Sequence, residues 1–536
     1  MSFGYNTTKA KAWLLVTVTD GFSIDADSTV RLAGVNVGLL AVGVSADNPK
    51  GATALKLLHL SDDAASNAPA DGLYPAARFM IGDAGELPDS TFRLAAIDDG
   101  AGGKDVFVAA PNLVTMTNAN VETTTATATR YGAFETGHAG DWSNGETPAA
   151  DSDKHYWSKQ KLCFFESVNL PSATLTFGDA SPSWKGGALI AFKEINMLDG
   201  VSLGLWASDT YRRLAAERLN LISPTGAGGA VKIGPSSGKQ LTIDAELCSK
   251  TTDLVLHSWG VTQETAPRVD LNRVSTNFHA RLTFTTDDTT GAKYLLATQL
   301  GDARTWGGAY TATDDGHDAI TLAKFVKVSV TNDVTFSEPT RGIFVSGGAC
   351  FDVPSGRTLR FENPVTWAGE LEKTGAGVLD LAGTARFIDG AADTTPLAAT
   401  NVLTIAEGAL RVSSATAADG LAVSFAAGTR LIVPSDGEKG YCNVKWDAPL
   451  TIGAADGVLP VEIDVAKAHE AEETLEVPVA TFSATAAASI PTSAFRVAKT
   501  TSRHRCQAVV KRENADGSVT YVAQMSRHLG LVFVIR

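Results

Sequence analysis

The stretch that most limits what this chain can fold into is Thr366 to Gly383, TWAGELEKTGAGVLDLAG. It holds two short apolar pulses, Leu371 and then Val378, Leu379 and Leu381, on either side of the turn Thr374-Gly375-Ala376-Gly377. Each pulse is too short to make a stable hairpin alone, and the glycines permit a tight corner with positive φ. Such a unit can bury its apolar side chains by stacking on others of its kind, each strand pairing with the strand above and below.

The rest of the chain repeats the theme. From about residue 173, short runs with i, i+2 apolar spacing recur, including Leu203-Leu205, Val231-Ile233, Leu241-Ile243, Leu282-Phe284, Val326-Val328-Val330, Leu359-Phe361, Leu403-Ile405 and Leu431-Val433. That spacing turns one face inward, and a long series of such runs predicts a continuous stack with Gly and Asn at the corners. One segment breaks the pattern. Asp209 to Leu219, DTYRRLAAERL, has helical spacing behind an Asp N-cap and predicts a short helical excursion between coils.

With 536 residues the chain exceeds one simple core unless that core grows by repetition. Fifty glycines, 19% charged residues and 44% hydrophobic residues describe a turn-rich β protein with enough apolar content to pack. A net charge of −14 argues against nucleic acid as a partner. Cys163, Cys248, Cys350, Cys442 and Cys506 are widely spaced without a CxxC, the pattern of small buried hydrophobes rather than of a zinc site or disulfide scaffold. No apolar run reaches the roughly 18 residues of a membrane helix, so no transmembrane segment is expected. The N-terminus lacks a signal-peptide pattern, so an exported chain would be a mature or trimmed form.

The run Gly369 to Gly383 closely resembles the autotransporter-associated β-strand repeat, a strand-turn-strand unit of secreted parallel β-helices. The segment Asp141 to Pro148, DWSNGETP, is similar to the entry that precedes the first coils in large surface proteins of the Planctomycetes–Verrucomicrobia–Lentisphaerae bacteria. Leu175 to Asp179 and Gly186 to Phe192 stand where that family's next strands would be, so the resemblance spans roughly residues 140 to 455. It implies an all-β chain forming a right-handed parallel β-helix, a solenoid, with an N-terminal β region and a C-terminal β cap. The expected organisation is an N-terminal β-rich region (1–130), a turn-rich entry (131–162), the β-helix (163–455) and a cap (456–536). The implied function is that of a non-catalytic structural or adhesive protein, secreted or at the cell surface, with polysaccharide or a cell-surface glycan as the partner.

Other readings stay open. A polysaccharide lyase or glycoside hydrolase would share the fold, which hosts many chemistries. A self-assembling surface-layer or filament subunit would use the apolar strand Leu531, Val532, Phe533, Val534 and Ile535 to add the next chain. Asp314, Asp315, His317 and Asp318 form the most enzyme-like cluster, suited to a divalent ion such as calcium or to acid/base steps, although a solvated turn before Ala319 to Leu322 is the better reading of it. Trp306, in TWGGAY, is the tryptophan expected to be exposed for sugar stacking. Arg503, His504, Arg505, Lys511 and Arg512 form a basic cluster that could take an anionic glycan or guard a sheet edge. No residue is singled out as catalytic, no cofactor is implied, and calcium is the only ion considered.

Overall fold

The computed structural model describes residues 2–4, 16–18, 29–33, 55–61, 72–73, 78–81, 85–87, 93–98, 101–109, 113–116, 134, 139, 142, 144–158, 162–177, 182–205, 211–222, 228–236, 238–259, 266–286, 294–312, 316–323, 325–368, 370–383, 385–387, 402–414, 422–435, 441, 445–446 and 450–528. It is a parallel β-helix, almost entirely β, that divides into two compact units, Met1–Leu282 and Thr283–Arg536.

The first unit begins with small mixed sheets. Lys104–Ala109 lies antiparallel to both Leu55–Leu60 and Arg93–Asp98. The coils follow. His155–Ser158, Val168–Phe177, Leu189–Leu198, Tyr211–Ile222, Gln240–Cys248 and Arg268–Leu271 pair in that order, every pair parallel. A second parallel series runs Cys163–Phe164, Ser183–Trp184, Ser202–Leu205, Gly229–Pro235 and Thr252–Ser258. Each coil therefore adds one rung of about 4.8 Å to each series.

Register makes like stack on like inside the unit. Ile190 pairs with Leu214 and Leu214 with Ile243, while Ile195 pairs with Leu219 and Leu219 with Leu247, all of them fully buried. Burying such a side chain contributes roughly 1.5–3 kcal/mol. A polar column runs through the same interior. His155 Nε2 meets Thr176 Oγ1 at 2.7 Å, Asn196 Nδ2 donates to Thr176 Oγ1 at 3.0 Å, and Asn220 Nδ2 donates to Asn196 Oδ1 at 2.8 Å. The ladder satisfies polar groups that would otherwise be costly in an apolar core.

The expected helix at Asp209 to Leu219 is corrected to a strand, Tyr211–Ile222. Asp209 lies outside the described residues. Parallel neighbours on both sides supply backbone partners along the strand, which outweighs the modest helix preference of its Arg, Leu, Ala and Glu residues. Arg212 is buried there, its guanidinium 5.1 Å from the Trp184 ring and Nη1 donating to the Trp184 carbonyl at 2.7 Å.

In the second unit, Leu296–Leu300, Val326–Val330, Ala349–Asp352, Leu371–Thr374, Leu403–Ile405, Val423–Phe425 and Leu450–Ile452 form one parallel series. Another runs Ile320–Leu322, Ile343–Val345, Val365–Trp367 and Ala385–Phe387. The last runs Val334–Phe336, Thr358–Phe361, Val378–Leu381, Ala409–Val412, Arg430–Val433, Leu459–Ile463 and Phe495–Thr500. The stretch from Thr366 to Gly383 contributes Leu371–Thr374 to the first of these and Val378–Leu381 to the last, with Gly375 at φ +74 between them. Lys373 points inward between Phe351 and Ile405, fully buried, and Nζ donates to the carbonyls of Thr374 and Gly375.

Beyond these coils Lys445–Trp446, Thr474–Phe482, Val519–Arg527 and His504–Glu513 form a four-stranded sheet in that order. Its outer strand, His504–Glu513, follows the last coil strand, Phe495–Thr500, after a short turn.

Candidate functional site

Trp306 is not exposed. It is fully buried at the end of the short 3₁₀ segment Ala303–Trp306, with its ring 4.9 Å from Phe284 and 5.6 Å from Phe336. Arg341 holds the following loop inward, Nε donating to the Trp306 carbonyl at 2.9 Å and Nη1 to the Gly308 carbonyl at 3.3 Å. Gly307, at φ +119, allows that close approach, since a Cβ there would run into the Arg341 guanidinium, so TWGGAY packs as an interior corner and cannot offer the indole face to a sugar. Trp142, Trp184, Trp367 and Trp446 are likewise buried.

Asp314 and Asp315 lie outside the described residues. His317 and Asp318 sit on a half-buried turn. Gly316, at φ +62, accepts from Gly342 N at 2.8 Å, and the Asp318 carbonyl accepts from Thr321 Oγ1 at 3.1 Å. The His317 ring lies 6.3 Å from that of Phe344. Among the described residues no group of three or more His, Cys, Asp or Glu side chains is placed to hold a metal ion. Leu531, Val532, Phe533, Val534 and Ile535 lie outside the described residues.

Many charges on the coils are engaged by one another across rungs. Asp244 bridges Arg213 and Arg273, the latter at 2.8 Å. Burial alone would raise the Asp244 carboxyl, but the hydrogen bonds from the two arginines outweigh it and hold the group below the usual carboxylate range. Arg360 spans Glu362 at 2.8 Å and Asp380 at 2.6 Å, Lys327 meets Asp352 at 3.0 Å, and Arg411 meets Asp464 at 2.6 Å. A general acid at neutral pH needs a carboxyl raised toward 7, the opposite of the Asp244 arrangement.

The cap presents a different electrostatic surface. Where Phe495–Thr500 gives way to His504–Glu513, a cleft of about 620 Å³ is lined by Val497, Ala498, Lys499, Thr500, Ser502, Arg503, His504, Arg505, Cys506 and His528. A β-bulge re-aims the first strand, the register with Leu459–Ile463 slipping between Val461 and Glu462 so that Glu462 faces Lys499. The floor is tightly tied. His504 is buried; Nε2 donates to the Glu472 carbonyl at 2.9 Å, and Nδ1 lies 2.7 Å from Ser502 Oγ. Thr500 Oγ1 donates to the carbonyls of Ser502 at 3.0 Å and His504 at 2.8 Å, and His528 N donates to the Arg503 carbonyl at 2.9 Å.

From this floor Lys499, Arg503 and Arg505 extend into solvent, and none of the three is in an ion pair within the described residues. The basic cluster read in the sequence thus splits. Arg503 and Arg505 reach the cleft, whereas Arg512 pairs with Glu476 and Lys511 donates to the Ala487 carbonyl at 2.8 Å beside the Tyr521 ring. Sequence reasoning missed Lys499 and His528, which the fold brings to Arg503 from either side; the spacing Lys499, Arg503, Arg505 was the available signal. Chemically the arrangement offers positive charge and hydrogen-bond donors without an aromatic wall. Comparison with protein-family models, with curated proteins and with solved structures returns no match.

Proposed function

We propose that this chain is an extracellular or cell-surface β-helix protein with a structural and adhesive role, recognising surface polysaccharide rather than transforming it. The observation that carries this reading is the use of charged groups as coil-to-coil ties: Asp244, Asp352, Asp380 and Asp464 each pair with an Arg or Lys. Side chains committed in this way stiffen a stack and leave little acid/base chemistry on its faces. Lys373 serves the same end, spending its ammonium on two carbonyls of its own turn. The likeness of Gly369 to Gly383 to a repeat of secreted β-helices supports the location.

The test has two arms. The purified chain is incubated with a panel of acidic and neutral polysaccharides, with and without calcium, and scored for binding and for chain shortening. Binding with intact polysaccharide is the expected result, and cleavage would move the chain to the lyase or hydrolase class. Producing cells treated with an impermeant protease should lose the protein; full protection would overturn the surface location.

A further inference from the structure

We infer that the cap cleft is a built site for acidic polysaccharide, with Lys499, Arg503 and Arg505 recognising carboxylate or sulfate groups on a short run of sugars. This deepens the adhesive reading and rests on it for the glycan class, while the site itself stands on the geometry of the cap. The chain carries an excess of 14 negative charges, yet no carboxylate lines the cleft, and three cations from the strand, the turn and the outer strand converge there. Half-buried Lys and Arg on the coils of the second unit, such as Arg360, Arg430 and Lys327, meet an acid on a neighbouring rung.

The cations also stand on an ordered base. His504, buried and held at both ring nitrogens, lies between Arg503 on the turn and Arg505 on the outer strand and fixes the backbone from which both exposed guanidinium groups extend. Ordering the turn in advance removes part of the entropic cost of capturing a ligand. Size and lining then narrow the class. A volume of about 620 Å³ exceeds what one inorganic anion fills and lies within the range of small-ligand sites. The lining contains no Trp, Tyr or Phe, so a nucleobase would find no large aromatic platform, whereas guanidinium forks match carboxylate and sulfate oxygens.

The purified full-length chain is titrated calorimetrically with a polygalacturonate hexasaccharide, a heparin-derived hexasaccharide, neutral maltohexaose, inorganic phosphate and single-stranded DNA of matching charge. At least one acidic hexasaccharide should bind tenfold or more tighter than maltohexaose, phosphate and DNA, with affinity falling as salt rises. The triple variant Lys499→Gln, Arg503→Gln, Arg505→Gln should lose at least tenfold for that sugar with an unchanged circular dichroism spectrum, since all three side chains are exposed. Arg496→Gln, an exposed cation outside the cleft lining, should retain wild-type affinity. Equal affinity for DNA or phosphate, equal affinity for maltohexaose, or undiminished binding by the triple variant would each overturn the site. Cell-surface exposure is read separately by the protease experiment, so failure here does not decide that question.

Discussion

Two buried titratable side chains convert the interior of the stack into pH dependence. Burial drives the His155 pKa down to about 3 from its ordinary 6.5, keeping the ring neutral beside Thr176. Between those values the unfolded chain takes up a proton that the folded chain refuses, so this contribution is complete above pH 6.5 and is lost as pH falls toward 3. Going from pH 7 to pH 5 should therefore cost the first unit about 2 kcal/mol through this group. Urea midpoints at both pH values, compared with His155→Gln, check it: the variant should show a smaller drop. Lys373 has the same sign at the other end of the scale. Burial lowers its pKa to about 8, so stability should rise as pH climbs from 8 toward 10.5, where the unfolded chain alone stays protonated. Lys373→Met should lose that rise in thermal melts at pH 7.5 and 10, and a parallel rise in both proteins would refute the assignment.

Among elements, corners and strands differ in how much of their structure is local. Gly408 and Gly428 both take φ near +80, at +76 and +82. A Cβ on Gly408 would run into the backbone carbonyls of Gly377 and Gly375 on the coil beside it, whereas one on Gly428 would meet nothing within 4 Å. Gly408→Ala should thus cost about 3 kcal/mol, combining strain with a displaced rung, and Gly428→Ala only about 1 kcal/mol. Denaturant melts of the two variants read the difference, and equal losses would mean that the coil contact carries no weight. The need for Gly375 is visible from its turn. The close approach at Gly408 is not, because the clashing atoms belong to residues 31 and 33 positions away in the chain.

For the whole molecule, stacked rungs couple most strongly to their neighbours, so each unit should open in stages rather than in one transition. Far-ultraviolet circular dichroism and tryptophan fluorescence followed through urea should give non-coincident curves. Trp184 reports the first unit, and Trp306, Trp367 and Trp446 the second. Coincident curves with a calorimetric enthalpy equal to the van 't Hoff value would contradict this expectation. The all-β stack was legible because i, i+2 spacing and glycine corners are local rules, obeyed by Leu371–Thr374 and Val378–Leu381 as by Leu403–Ile405. The strand at Tyr211–Ile222 was hidden, since its own residues prefer a helix and only flanking strands reverse that preference. The burial of Trp306 was hidden too, being imposed by Arg341 from the next coil. The cleft was half legible: Arg503 and Arg505 announce charge, but Lys499 joins them through a bulge and a turn, and Lys511 and Arg512 are drawn away to Ala487 and Glu476. By itself, then, the sequence determined the class of fold and its repeating corner, because both follow from backbone conformation and side-chain alternation within a few residues. Which charges stay free and which are spent was decided by the tertiary structure alone, because pairing across rungs depends on register between distant segments.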